Sequence, residues 1–312
     1  MSILKKWKEG FTPKEDYLRG FESGRKNAFS TTSNKPVLIA GMGGSGIAGS
    51  ILATFTPKNK KIHSINDYYE IEKFNEKVNG KYKPKPFLSN AEGWANLILC
   101  SYSGNTKETL SWLKIASLTS FGITTGGKLA ELCPRTIKIS HPGPPRRSLY
   151  ESLGILDGLT GQGKMFWDGE EPKEETVKEI TDKGLIWGKE KILPWMLVPE
   201  KCDPIARRWT GMIQEDAKIP AGFGIIPEAA HNQIEGIGGK LFKTGIILID
   251  AASTRDENKK LLKTFEEKET IFLPQIHPVQ LCILGDYFAT AIAEGLDTEI
   301  NPIPTIEKYK NS

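Results

Sequence analysis

Two short stretches carry residue types that could hold a phosphate. The first is Gly41-Met42-Gly43-Gly44-Ser45-Gly46, which follows the apolar run Val37-Leu38-Ile39-Ala40. Behind it Ile47, Ala48, Ile51, Leu52 and Phe55 recur at helical spacing. A strand, a glycine loop and a helix N-terminus present free N–H groups and the positive end of a helix dipole to an anion. The second stretch is Ser101-Tyr102-Ser103-Gly104-Asn105-Thr106, just after Leu97-Ile98-Leu99-Cys100. Its hydroxyls, Ser101, Ser103 and Thr106, join Gly44 and Ser45 in a polar, uncharged cradle suited to one phosphate monoester. Asn105 and Glu108 are spaced like a helix cap. A rival chemistry shares the first loop: Gly41, Gly43 and Gly46 satisfy G-x-G-x-x-G, and Asp67 follows the second apolar strand where a dinucleotide ribose would need an acid. A dinucleotide site has no need of the second hydroxyl cluster.

These loops must be held at the ends of strands. Strands are expected at 37–40, 61–65, 97–100, 121–125 and 135–139, the last alternating like an edge strand. Leu110, Leu113 and Ile115-Ala116 give the intervening helix its apolar side. Alternating strands and helices of these lengths mean a parallel, doubly wound α/β sheet with ligands at the strand C-termini. His141-Pro142-Gly143-Pro144-Pro145-Arg146-Arg147 cannot continue either element, so the chain is divided there into 1–147 and 148–312. Beyond it, strands are expected at 195–198, 224–226, 245–249 and 270–273, and helices near 174–190, 204–218, 257–267 and 278–294. Gly154, Gly158, Gly161, Gly163 and Gly169 weaken the helix otherwise expected over 150–173.

The two loops and Ile123-Thr124-Thr125-Gly126-Gly127-Lys128-Leu129-Ala130 resemble the first half of a sugar isomerase (SIS) fold. More specifically, the chain resembles the archaeal bifunctional phosphoglucose/phosphomannose isomerases, and the resemblance continues past residue 200. It implies two SIS-type doubly wound subdomains with parallel sheets flanked by helices. It also implies an aldose–ketose isomerase acting on glucose 6-phosphate, and on mannose 6-phosphate, to give fructose 6-phosphate through a cis-enediol. Such chemistry needs a phosphate clamp, a base, an acid for ring opening and a cation beside the enediolate, with no metal or other cofactor.

The resemblance assigns the base to Glu215, within Met212-Ile213-Gln214-Glu215-Asp216-Ala217-Lys218. Without it, a helical glutamate reads as a surface residue, and Asp216 would point about 100° away. His231 sits in Pro227-Glu228-Ala229-Ala230-His231-Asn232-Gln233-Ile234-Glu235-Gly236, which resembles the family's catalytic-histidine segment, although Ala230 stands where a further histidine is usual. A neutral imidazole can accept and donate a proton during ring opening; the plain alternative is a helix cap. Arg146 matches the family's linker arginine, with Arg147 as an immediate alternative. Lys310 corresponds to the lysine closing the family's C-terminal turn, and Thr305 to the residue that admits the mannose epimer; the plain alternative for Lys308 and Lys310 is a pair of solvated charges at a chain end. The segment before them is shorter here than in the family. The resemblance further implies a homodimer in which His231 serves the neighbouring subunit. A non-catalytic sugar-phosphate-binding SIS protein is the competing reading, since it would share residues 37–130 and need neither Glu215 nor His231.

Composition sets the limits. The chain has 312 residues, 38% hydrophobic and 26% charged, enough for two domains with real cores. A net charge of +4 suits small anions and shows no basic run of the density that nucleic acid requires. Lys58-Asn59-Lys60-Lys61 reads as a solvated loop. No apolar stretch has the length of a membrane span or a signal sequence, and Cys100, Cys133, Cys202 and Cys282 are scattered as reduced core residues are; a cytoplasmic protein is expected. The four histidines lack metal-ligand spacing, so no metal is expected.

Overall fold

The computed structural model describes residues 2–29, 36–57, 61–70, 75–78, 81–84, 89–90, 93–94, 96–116, 120–141, 143–161, 167, 171–274 and 276–310. Gly163, Gly169 and most of the Lys58–Lys61 loop lie outside them. The chain separates into two compact units, Thr12–Asp168 and a second one formed by Met1–Phe11 with Gly169–Ser312. The division follows Asp168 instead of Arg147, because the helix after the proline-rich stretch belongs to the first unit's core.

In the second unit's leading segment lies α1 (Ile3–Lys8). The first unit opens with α2 (Pro13–Arg25), β1 (Val37–Gly41), α3 (Gly43–Phe55) and β2 (Ile62–Ile65). Two short antiparallel ribbons follow, β3 (Asn75–Val78) with β4 (Lys81–Pro84) and β5 (Ser89–Asn90) with β6 (Gly93–Trp94). Then come β7 (Asn96–Cys100), α4 (Lys107–Ser111), β8 (Phe121–Thr124), α5 (Gly127–Leu132), β9 (Thr136–Lys138) and α6 (Leu149–Thr160). The main sheet is parallel in the order β2-β1-β7-β8-β9. Strands β1 and β7 are buried along their whole length, as their continuous apolar runs demand, while β9 alternates at the edge. Leu38, Ala40, Leu97 and Leu99 pack with Trp112 and Leu129 on one face. On the other face a Cβ on Gly49 of α3 would stand 2.6 Å from Ile39.

Helices α2 and α6 explain the glycine density of residues 154–161. A Cβ on Gly154 would lie 2.0 Å from the Tyr17 carbonyl oxygen, and one on Gly158 2.4 Å from that of Phe21. From the other helix, a Cβ on Gly20 would meet the Glu151 carbonyl oxygen at 2.1 Å, and one on Gly24 that of Ile155 at 2.2 Å. The two helices thus touch backbone to backbone over two turns, with four glycines as the contact. Propensity alone predicts a weak helix here; close packing against α2 overrides it. Gly161, at φ +67°, ends the helix in the left-handed conformation usual after a last turn. The Tyr17 hydroxyl donates to buried Asp157 across the same contact.

The second unit contains α7 (Glu174–Lys189), β10 (Leu193–Pro199), α8 (Asp203–Asp216), β11 (Gly222–Ile226), α9 (Gln233–Gly238), β12 (Thr244–Ile249), α10 (Arg255–Thr264), β13 (Thr270–Leu273), α11 (Pro278–Gly295) and α12 (Pro304–Lys310). Its sheet is parallel in the order β11-β10-β12-β13. The expected α/β class and parallel sheets are therefore present in both units. Leu197, Ile226, Ile246, Leu248, Leu261 and Phe265 fill one face. The Trp187 and Trp209 rings both pack on Phe288 of α11, with centroids 5.3 and 5.6 Å apart. Arg208 of α8 pairs with Asp286 of α11 at 2.7 Å, both side chains almost fully buried. Among the described residues, no helix is long and apolar enough to cross a membrane.

The four α2–α6 glycines lead to an expected outcome. Gly154→Ala should lower unfolding free energy by about 3 kcal/mol, since the new methyl must push the paired backbones apart. Gly211→Ala in α8, where a Cβ meets nothing within 4 Å, should instead raise it by about 0.5–1 kcal/mol. Urea titration of the two variants beside the wild type checks both signs.

Candidate active site

Gly41 and Cys100 are paired neighbours at the ends of β1 and β7, so the loops that follow them lie side by side. The first turns at once into α3, with Gly43 at φ +51°. The second is closed by hydrogen bonds among its own polar groups. Ser101 Oγ lies 2.9 Å from Thr106 Oγ1 and accepts from the Gly104 N–H at 3.1 Å; Ser103 Oγ accepts from the Asn105 N–H at 3.3 Å. Between the loops the Tyr102 N–H donates to Ser45 Oγ at 3.0 Å. The structure therefore brings Ser45, Ser101 and Thr106 together at adjacent strand ends, with Ser103 exposed on the rim.

The expected cap by Asn105 takes another form. Thr106 precedes α4 without a side-chain cap bond, and Asn105 Oδ1 accepts from the Lys128 N–H at 3.1 Å, bracing α5 instead. Gly104 and Gly127 adopt φ +69° and +66°, and a Cβ on Gly127 would meet the Ser103 carbonyl oxygen at 2.4 Å. The third loop is drawn in the same way: the Thr125 N–H and Oγ1 both donate to the Tyr102 carbonyl, at 2.9 and 2.7 Å.

Of the two adjacent arginines, Arg146 is the buried one, 2% exposed, in a 3₁₀ turn over Pro145–Ser148. Its backbone lies against Gly44, where a Cβ would stand 3.4 Å from Arg146 Cα. Arg147 is half-buried.

The segment before Arg146 is held by a carboxylate that sequence reading did not single out. Glu151, 2% exposed, accepts from the Ser140 N–H at 3.0 Å, the Ser140 hydroxyl at 2.6 Å and the His141 N–H at 2.7 Å. Arg19 of α2 reaches the same carboxylate at 3.4 Å and also pairs with Asp16, while His141 Nδ1 lies 3.1 Å from Asp16. Burial alone would raise the Glu151 carboxyl above its ordinary 4.5. The donors of Ser140, Arg19 and His141 outweigh it and hold the value lower. Asp16 behaves alike: burial raises it, but the bonds from His141 and Arg19 win and hold it below 3.8. No sequence signal links these residues, because the partners of Glu151 lie on two different elements far apart in the chain.

The rival acid, Asp67, is engaged locally: its carboxylate accepts from the Tyr68 N–H at 2.8 Å and its carbonyl from the Trp112 indole at 2.8 Å. Asn66 instead faces the glycine loop, donating to the Gly41 carbonyl at 2.6 Å.

Glu215, His231, Thr305 and Lys310 belong to the second unit. Glu215 is half-buried near the end of α8, about two turns beyond Arg208 on the same stripe, and Asp216 is fully buried. Lys218, at φ +57°, closes that end with its ammonium. It donates to the carbonyls of Glu215 at 2.9 Å and of Glu299 and Ile300 at 2.8 Å each. It thereby ties the segment before α12 to the helix carrying Glu215. His231 is exposed at the end of a 3₁₀ turn whose Ala229 anchors in the core. The cap of α9 is Asn232, which accepts from the Gln233 N–H at 2.6 Å, so His231 does not fill that role. Thr305, Lys308 and Lys310 are exposed on α12, a helix that buries none of its residues. All four cysteines are buried thiols; burial pushes Cys100 up to about 12 and Cys202 up to about 11.

Comparison with known proteins places these features in context. Residues 187–271 match a family model described as the bacterial phospho-glucose isomerase C-terminal SIS domain. A bifunctional phosphoglucose/phosphomannose isomerase of Aquifex aeolicus is 28% identical over 307 residues, covering 89% of this chain and 90% of the relative. A D-glucosamine-6-phosphate 4-epimerase of Sulfolobus acidocaldarius is 28% identical over 75% of this chain and 71% of its own. In fold, the chain is similar to glucosamine-6-phosphate deaminase of Thermotoga maritima, with a TM-score of 0.61, 13% identity, and coverage of 96% and 97%.

Glu151 gives a pH-dependent expectation. Its native carboxyl is held below 4.5, so the stabilisation is fully present above that pH and is lost as pH falls through the native value. Glu151→Gln should cost about 2–3 kcal/mol at pH 7, where the amide turns N–H groups toward N–H donors. The gap to wild type should shrink steadily below pH 4.5; chemical denaturation at several pH values measures it.

Proposed function

We infer that this chain, a relative of the bifunctional phosphoglucose/phosphomannose isomerases over most of its length, is an aldose–ketose isomerase. It interconverts glucose 6-phosphate, and mannose 6-phosphate, with fructose 6-phosphate. The observation behind this reading is the hydroxyl-lined cradle at the ends of β1 and β7, seated at the N-terminus of α3 with a buried arginine against Gly44. That arrangement suits a phosphate monoester in the shape of a single anion.

In this reading Gly44, Ser45, Ser101, Ser103 and Thr106 hold the phosphate. His231 and Lys310 open the sugar ring by moving a proton between the ring oxygen and the C1 hydroxyl. The Glu215 carboxylate takes the proton from C2 of the open aldose, and the electron pair left behind forms the C1–C2 double bond of the cis-enediolate. Return of that proton to C1, with transfer of the proton on the C2 oxygen to the C1 oxygen, yields the ketose. Arg146, always charged, stabilises the oxygens on which charge develops. Thr305 admits the C2 epimer. We further propose that the protein works as a homodimer in which His231 serves the neighbouring subunit. The chemistry requires no metal or redox cofactor, and the small-molecule substrate fits a chain with no membrane-spanning helix among the described residues.

A coupled assay on fructose 6-phosphate, followed by one on mannose 6-phosphate, is the direct test. Formation of glucose 6-phosphate and turnover of mannose 6-phosphate are expected. A product altered at C4, or binding without turnover, would overturn the isomerase reading, the second in favour of a sugar-phosphate-binding protein. Glu215→Gln should keep phosphosugar binding and lose turnover by at least about 100-fold. A near-normal rate in that variant removes Glu215 from the mechanism.

A further inference from the structure

Tyr102 stands between the two serines of the second loop, and every polar group it owns is bonded to a different piece of the first unit. Its N–H donates to Ser45 Oγ in the first loop at 3.0 Å. Its carbonyl accepts from Thr125, through both N–H and hydroxyl, in the third loop. Its hydroxyl donates to the carbonyls of His141, at 3.1 Å, and of Gly143, in the segment leading to Arg146. Burial and the nearby Glu151 carboxylate push the phenol up from its ordinary value.

The same segment is fixed a second time by Glu151, through the Ser140 and His141 N–H groups. Glu151 therefore takes the segment's donors and Tyr102 its acceptors. Arg146 follows directly, with its backbone against Gly44, next to the Ser45 that Tyr102 holds from the other side. The path closes on itself: Ser45, Tyr102, Gly143, Arg146, Gly44.

We propose that Tyr102 is a positioning residue that couples occupancy of the phosphate cradle to the placement of Arg146. An anion drawn to Ser45 acts on a loop whose backbone is bonded to Tyr102, and the Tyr102 hydroxyl passes that constraint to the arginine's own segment. This role rests on the isomerase reading only in what Arg146 does; the coupling itself is independent of it.

Tyr102→Phe removes one oxygen and leaves the ring and all backbone bonds in place. Two measurements on the full chain test it. The first is steady-state kinetics with fructose 6-phosphate, with inorganic phosphate as competitive inhibitor. Expected is a fall in kcat of about tenfold, the loss that one misplaced charge-assisted contact brings, with KM and the inhibition constant of phosphate within about twofold of wild type. The second is amide hydrogen exchange over residues 143–147 with and without inorganic phosphate. Phosphate should slow exchange there severalfold in the wild type and leave it unchanged in Tyr102→Phe.

Unchanged kcat together with an unchanged phosphate response overturns the proposal. So does a rise in KM and in the inhibition constant with kcat retained, since Tyr102 then serves the cradle alone. A Tyr102→Phe chain that does not fold makes the residue a plain strut and overturns it as well. A wild type without turnover overturns the isomerase reading, while the exchange measurement still decides the coupling.

Discussion

A carboxylate taken out of water must be surrounded by donors, and Glu151 has gathered its donors from the segment that carries Arg146. The charge is nearly inaccessible, and the N–H groups of Ser140 and His141, the Ser140 hydroxyl and the Arg19 guanidinium all converge on it. Three prolines in the neighbourhood leave the chain with few backbone donors of its own, so a loop of that composition would ordinarily be loose. Here two of the remaining donors, the N–H groups of Ser140 and His141, are used on one buried acceptor. The rest of the first unit depends on this arrangement, since it fixes where the chain goes after β9 and therefore which arginine turns inward.

The two units use one architecture for different ends. Both are parallel α/β sheets, yet the first passes from its leading strand to its helix through a glycine loop, whereas in the second β10 passes to α8 through a 3₁₀ turn, Glu200–Cys202. In the second, the polar investment goes into the helices behind the sheet. The Arg208–Asp286 pair and the Trp209 indole, which donates to the Leu281 carbonyl at 2.8 Å, set how α8 lies on α11. A buried ion pair of that kind contributes little net stability and a good deal of register. What it orients is the helix that carries Glu215 in its last turn.

Much of this was legible in the sequence. The central strands are continuous apolar runs and the edge strand alternates, so period alone separates them. The meeting of Ser45, Ser101 and Thr106 was legible because its parts are local: the glycines and hydroxyls of each loop lie within six positions of each other, at the ends of two apolar strands that pair. The α6 helix was not, because its glycines look like helix breakers until α2 is seen against them. Asn105 was misread for a related reason, as its spacing to Glu108 mimics a cap while its partner is the Lys128 N–H on another element. Residues whose partners lie far along the chain, Glu151 and Asp16 among them, leave no pattern at all.

The contact between α2 and α6 has a bearing on how such a sequence can change over time. When two side chains touch, one can grow as the other shrinks, and a lineage can pass through paired substitutions. At Gly20, Gly24, Gly154 and Gly158 the nearest opposing atoms are all main-chain oxygens, nitrogens and carbons. Main chain cannot be trimmed, so no second substitution can rescue the first. Each of the four positions is constrained on its own account, and drift in the surrounding residues of both helices must proceed around them.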